Sequence, residues 1–333
     1  MSSCHSYCPL THFIWDRATR GACDVGPSDA PAIDNTSTLH DADYAALLTP
    51  PVRGDGDDAL LVYVYLLALP QFLERVWPRV VRRIVLVTGM SDPGPAKVLG
   101  YEACVALACD ARIVAWYTEM LDFVLEGDAS LKHRVFALPL GLDYHTLAYK
   151  PCDRPLWGPP QMPAEQEGAF LAIARAAPPG TLRDARVYVH FGWYTPQRRR
   201  VIRAIRGRNP TFYFDADRHI GREELWRRMS GFQWVLCVQG GGLDCHRTWE
   251  ALALGCGVVA EAMPMLDELL GDEEGARAAL PHMLIATRDG AGWRSRVTHE
   301  ALAPLYRDAR EDARLTNAYW HARMRSSCGL AAR

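Results

Sequence analysis

No two of the chain's 10 cysteines stand as a C-x-x-C pair. Cys4, Cys8, Cys23, Cys104, Cys109, Cys152, Cys237, Cys245, Cys256 and Cys328 are scattered, and Cys237 and Cys256 lie in apolar runs. That pattern excludes a cysteine zinc cluster and a disulfide scaffold, and points to a reducing compartment. Cys4, His5 and Cys8 sit together, but a second ligand pair is missing downstream. Basic charge is not in excess: 37 Lys and Arg against 39 Asp and Glu give a net charge of −2. A general nucleic-acid binder is therefore not expected, and Arg82-Arg83 and Arg198-Arg199-Arg200 read as solvated faces. There is no basic leader followed by an apolar stretch. The longest apolar run, Ala59 to Leu69, is too short to span a bilayer. A soluble, cytoplasmic protein without a membrane span is expected. Asp215-Ala216-Asp217 has the letters of a D-x-D metal motif without a convincing strand-end setting, so no metal and no cofactor are expected.

What the sequence does contain is core-forming material for two domains. Its 333 residues are 49% hydrophobic, with 10 Trp and 13 Tyr, and a domain takes roughly 150 residues. Residues 1–55, rich in Asp, Ser, Thr, Pro and Gly, read as an irregular arm. From Leu60 strands and helices alternate. Strands are expected at 60–65, 83–87, 111–116 and 134–138, and helices at 70–80, 96–109 and 118–125. Residues 151–164 carry Pro151, Pro155, Pro159, Pro160 and Pro163 and read as a linker. A second series follows, with strands at 187–191, 211–214, 233–238 and 257–261 and helices at 165–176, 196–205, 222–229 and 246–254. This predicts an α/β protein of two parallel-sheet, Rossmann-like domains, 56–150 and 165–325, facing across a cleft. Ligands would lie beyond the carboxyl ends of the strands.

The segment Phe232 to Ala260 reads strand, glycine-rich loop, helix, glycine stop, strand. Gly240, Gly241 and Gly242 would allow close backbone approach and positive φ, and Asp244 would cap the helix. The helix N-terminus suits a diphosphate. Arg247 adds a planar donor fork, and Glu250, one turn deeper, would accept from ribose hydroxyls. Opposite it, Phe191-Gly192-Trp193-Tyr194-Thr195-Pro196 forms a second wall. Thr195 before Pro196 is either a helix cap or a phosphate contact, with Arg198 or Arg199 to assist. A dinucleotide site is the rival: Gly240 and Gly242 fit G-x-G-x-x-G, but its third glycine falls on Cys245, and its acidic residue would be Glu261. A surface ion pair between Arg247 and Glu250 is the plainer alternative.

Gly242-Leu243-Asp244-Cys245-His246-Arg247-Thr248-Trp249-Glu250-Ala251-Leu252-Ala253-Leu254-Gly255-Cys256 resembles the nucleotide-sugar motif of exostosin-like GT-B glycosyltransferases, most of all the compact forms of large DNA viruses and protists. Val85 to Asp92, Leu138 to His145 and Val187 to Phe191 add to the resemblance, which extends over about residues 60–260. It implies a GT-B fold and a nucleoside-diphosphate sugar donor, with Arg247 near the diphosphate and Glu250 near the ribose, and Gly241, Gly242, Asp244 and His246 are further candidate donor contacts. It also implies a glycan or glycoprotein acceptor. Retaining members often carry two Glu spaced by seven residues; the position following Glu250 in that pattern is Val258, which favours inversion.

Inverting transfer needs a base for the acceptor hydroxyl and help for the leaving diphosphate. The helix and Arg247 would supply the help without a metal. Asp92 and Asp143, each in a loop after a strand of the first domain, are the candidate bases, though each is also placed to cap a helix. Trp116, Glu119 and His145 are candidate acceptor contacts, with core packing the alternative for Trp116.

Overall fold

A computed structural model describes residues 11–27, 37–50, 59–125, 134–149, 157–191, 195–207, 209–217, 220–271, 278–286 and 291–329. Cys4, His5, Cys8, Pro151, Cys152, Pro155, Gly192, Trp193 and Tyr194 lie outside them. The chain forms two compact units, Met1–Leu140 with Thr316–Arg333, and Gly141–Leu315.

In chain order the first unit holds α1 (Asp16–Gly21), β1 (Leu60–Tyr65), α2 (Leu69–Arg75), β2 (Ile84–Gly89), α3 (Pro95–Leu99), α4 (Tyr101–Cys109), β3 (Ile113–Thr118) and β4 (Val135–Ala137). The four strands pair in parallel in the order β1-β2-β3-β4, with Leu60 opposite Ile84 and Tyr65 opposite Gly89. Every residue of β2 is buried, as expected of a parallel strand covered on both faces. Val62, Val64, Leu69, Phe72, Leu86, Leu107 and Trp116 belong to one core cluster.

Two sequence expectations fail here for local reasons. Residues 96–109 form two helices, because Gly100 takes φ 87° between them. Residues 118–125 are not helical: β3 runs on to Thr118 and Met120 adopts φ 52°, a left-handed backbone that breaks a helix. Asp122 then caps α3 from outside, accepting from Ala96 N at 2.8 Å and Lys97 N at 3.0 Å. The arm also holds structure its composition hid. Phe13, Ile14 and Trp15 are buried, and a 3₁₀ turn at Asp41–Leu48 buries Tyr44 and Leu47.

The second unit holds α5 (His145–Tyr149), α6 (Pro163–Ala176), β5 (Asp184–Val189), α7 (Pro196–Ile205), β6 (Phe212–Phe214), α8 (Arg222–Ser230), β7 (Phe232–Cys237), α9 (His246–Ala253), β8 (Gly257–Glu261), α10 (Pro264–Leu270), β9 (His282–Ile285), α11 (Ala291–Ser295) and α12 (His299–Leu302). Its strands are all parallel, in the order β6-β5-β7-β8-β9. Gly257 is demanded by packing, since a Cβ there would lie 2.5 Å from the Trp234 ring. The last helix, α13 (Asn317–Ser327), belongs to the first unit: Asn317 Nδ2 donates to Thr11 O at 2.8 Å, and Tyr117 Oη lies 2.9 Å from Ser327 Oγ. Among the described residues no helix is long and apolar enough to cross a membrane.

Candidate ligand site at the switch point of the second sheet

In the second sheet the chain's first strand, β5, is flanked by β6 on one side and β7 on the other. From β5 the chain goes to β6 on one side and then returns to β7 on the other, and in open parallel sheets ligands bind beyond the strands' carboxyl ends at such a reversal. The two segments singled out in the sequence are the loops after β5 and β7: Phe191 and Thr195 follow β5, and Gly240 to Cys245 follow β7.

The second loop delivers α9 with its N-terminus lightly capped. The N-cap residue is Cys245, whose side chain makes no cap hydrogen bond to the helix backbone. Asp244, the expected cap, is instead turned back: its carboxylate accepts from Cys245 N at 2.7 Å and from the Trp249 indole at 2.6 Å. A carboxylate held by a fully buried Trp ring anchors the loop at the start of the helix. The helix ends in a Schellman motif, with Cys256 N bonded to Ala251 O, Gly255 N to Leu252 O, and Gly255 at φ 82°. Gly240, Gly241 and Gly242 are not among the residues with positive φ. What Gly240 supplies is room: a Cβ there would lie 3.2 Å from Arg198 Nη2.

Two guanidinium groups face this loop. Arg198 is held by its Nε, which donates to Val238 O at 3.2 Å, and Arg247 stands in the first turn of α9. Both lie against the buried Phe191 ring, their Cζ atoms 5.0 and 5.4 Å from its centre. Thr195 caps α7, its hydroxyl accepting from Arg198 N at 3.2 Å, so its side chain is spent on the helix. Arg247 differs from its neighbours. Its Nε and Nη1 are buried and have no hydrogen-bond partner among the described residues. Buried, unsatisfied donors on a cation carry a desolvation cost of a few kcal/mol, which an anionic ligand would relieve. The local field is positive. The Cys245 thiol is held below its ordinary pKa by a hydrogen bond from the Cys237 thiol, by Arg198, by the Thr248 hydroxyl and by Arg247, against the effect of burial. His190 is pushed down to about 4, first by burial and then by Arg247.

The second unit also holds a buried ion network that the sequence did not reveal. Arg222, the first residue of α8, bridges Asp143 Oδ2 at 3.2 Å and Glu250 Oε1 at 2.6 Å. Its plane is flanked by Trp157 and Trp226, each ring centre 4.8 Å from Cζ. A cation in the first turn of a helix opposes the helix dipole, and in the run Arg222-Glu223-Glu224 that placement was the available signal. Asp143 also caps α5, accepting from Thr146 N at 2.9 Å and Thr146 Oγ1 at 2.8 Å. Burial alone would raise its carboxyl. The charges of His145, Arg222 and His246 and the Thr146 N–H override this and hold it well below the usual carboxylate range. Asp143 thus anchors this network through Thr146 and Arg222. It also belongs to the second unit, not to the first-domain strand-end loop expected. His145 Nδ1 lies 3.2 Å from Asp143 Oδ1, and His246 Nδ1 lies 2.8 Å from Gly141 O.

Other candidates fall elsewhere. Trp116 is fully buried in the first unit's core, its indole donating to Thr88 Oγ1 at 2.9 Å; it is packing, not an acceptor platform. Glu119 is buried at the end of β3 and accepts from Met90 N at 2.8 Å, supporting the left-handed backbone of Met90, φ 58°. Asp92 is exposed in that loop and does not cap α3, whose N-cap is Gly94. Asp215 and Asp217 both pair with Arg228, at 3.0 and 2.7 Å. Glu261, the acidic residue a dinucleotide site would need, is tied to Arg200 and to Gln239.

No family model matches the chain, and no curated protein matches it. Among solved structures it is similar to a sucrose-phosphate synthase from Thermosynechococcus elongatus, with 14% identity, a TM-score of 0.39 and coverage of 91% of this chain and 80% of that one. It is also similar to the catalytic domain of starch synthase IV from Arabidopsis thaliana bound to ADP and acarbose, at 9% identity and a TM-score of 0.35, covering 91% and 79%. At these levels the site, not the likeness, carries the functional reading.

Proposed function

We propose that the chain is a glycosyltransferase of the GT-B kind, taking a sugar from a nucleoside-diphosphate donor held at the β5/β7 switch point and placing it on a hydroxyl of a glycan or glycoprotein. The observation that carries this reading is Arg247, a half-buried arginine with two buried, unsatisfied nitrogens in the first turn of a helix whose N-cap side chain makes no cap hydrogen bond. Helix dipole, Arg247 and Arg198 together form a cradle for a diphosphate and for the charge that develops on it as the glycosidic bond breaks. Glu250, one turn deeper on α9, is buried and fixed by Arg222, a rigid acceptor for nucleoside hydroxyls. The dinucleotide alternative is disfavoured because Glu261 is already committed to Arg200 and Gln239.

The donor chemistry rests on the chain's own dipole and cations. Inversion is the stereochemistry we favour. Asp92, exposed and beside the strained Met90, is our candidate for the base that takes the acceptor proton. Asp92→Asn is then expected to lower kcat by roughly 10²–10⁴-fold while leaving nucleotide affinity unchanged; unchanged turnover would remove Asp92 from the mechanism. The function itself is tested by calorimetric titration with UDP, GDP and NAD. Binding of one nucleoside diphosphate, lost in Arg247→Ala, followed by donor turnover, supports the reading. Binding of NAD alone overturns it.

A further inference from the structure

One atom of each of Asp143, His145 and His246 lies within 4.8 Å of the other two, and this is the one such grouping among the described residues. Three features set it apart from a surface cluster. First, Asp143 is 4% exposed and both its oxygens are oriented by donors: Thr146 Oγ1 at 2.8 Å and Arg222 Nη1 at 3.2 Å donate to Oδ2, and Thr146 N at 2.9 Å donates to Oδ1, the oxygen that lies 3.2 Å from His145 Nδ1. Second, His246 Nδ1 meets the Gly141 carbonyl at 2.8 Å, with Gly141 at φ 71°, a backbone shape that glycine adopts without strain. A ring N–H fixed on a backbone carbonyl sets the tautomer with its lone pair on Nε2, the arrangement that orients metal-ligating imidazoles. Third, charge is out of balance. Asp143 and Glu250 are two buried carboxylates sharing the single guanidinium of Arg222.

We propose that Asp143, His145 and His246 bind a divalent transition-metal ion of the zinc class, leaving one coordination position open to an oxygen ligand. Two imidazoles and one carboxylate are a donor set that suits zinc and cobalt and does not suit calcium or magnesium, which take oxygen ligands. Three protein ligands with an open fourth position is the composition of catalytic rather than structural zinc sites. Bonds of about 2.0–2.2 Å in a tetrahedron place donors about 3.3 Å apart. The grouping, whose atoms lie within 4.8 Å of one another, therefore closes by up to about 1.5 Å when the ion binds. The inference is independent of the glycosyl-transfer reading, because it concerns binding of the metal alone.

The test is titration of the metal-stripped full-length protein with zinc chloride and cobalt chloride. The expected result is uptake of one equivalent, a visible four-coordinate cobalt spectrum, and no sulfur-to-cobalt charge-transfer band. His145→Ala and His246→Ala are each expected to weaken binding about a hundredfold or more, while Asp217→Asn leaves it unchanged. His246→Gln, which can still donate to Gly141 O, serves where the alanine variant does not fold. In the unmodified protein, cobalt is expected to shift the resonances of two histidine rings. No uptake, a thiolate charge-transfer band, uptake that survives both histidine substitutions, or the absence of shifted histidine resonances would each overturn the proposal.

Discussion

An arginine with buried guanidinium nitrogens that lack hydrogen-bond partners costs stability until an anion binds it. Arg247 is such a residue, and this gives its removal a double signature. Arg247→Ala is expected to weaken diphosphate binding by about 1.5–3 kcal/mol, the worth of hydrogen bonds to a charged group, and to leave the melting temperature of the free protein unchanged or raised. Paired calorimetry and thermal melts read both, and a large loss of free-protein stability would mean that Arg247 is structural. His190 supplies the pH dependence. Its pKa falls from 6.5 to about 4 on folding, because burial and the Arg247 charge disfavour the imidazolium. The unfolded chain then takes up the proton first, so stability is full above pH 6.5 and declines as pH falls toward 4, by about 3 kcal/mol in all. Urea melts across this range are expected to show the decline in the wild type and a flatter curve in His190→Asn. At this scale the sequence singled out Arg247, Arg198 and Glu250 because a glycine-rich loop opening a helix suits an anion, and the structure sets both arginines against the Phe191 ring and Glu250 against Arg222. The sequence could not show that Arg222 threads between Asp143 and Glu250, for residues 79 and 28 positions apart meet only through the fold.

Elements were legible where their apolar runs were continuous. β1, β8 and α7 begin and end where the pattern placed them, because a strand buried on both faces and a Pro-started helix each leave an unambiguous signature. Residues 118–125 misled for the opposite reason. Their helical spacing is real, but the left-handed backbone at Met120 and the use of Asp122 as an external cap for α3 are tertiary choices that periodicity does not encode. β9, with half-exposed His282, Met283 and Leu284, had no run long enough to be noticed. The close fit of β7 and β8 gives a test at this scale. Gly257→Ala would put a methyl 2.5 Å from the Trp234 ring and is expected to destabilise the protein by about 1–3 kcal/mol. Combining it with Trp234→Leu is expected to cost less than the two single changes summed. Additive losses in denaturant melts would show that the two side chains do not share the constraint.

At the scale of the whole chain, the residues that form the proposed donor site all lie within Gly141–Leu315. The chain's last helix has left that unit to pack on the first, through Asn317 on Thr11 and Ser327 on Tyr117. A ligand that binds only the native second unit therefore acts by mass action on that unit's unfolding. At a hundred times its dissociation constant it contributes about 2.7 kcal/mol. Local opening reports the difference, since amide exchange measures each region's own free energy of unfolding. With saturating UDP or GDP, whichever binds, exchange is expected to slow through β5, β7, α7 and α9, and to stay unchanged through β1, β2 and α13. Slowing confined to the first unit would place the nucleotide elsewhere and remove the switch point as the donor site. Slowing of α9 alone, without α7, would keep the helix terminus as the anion site but release Arg198 from it.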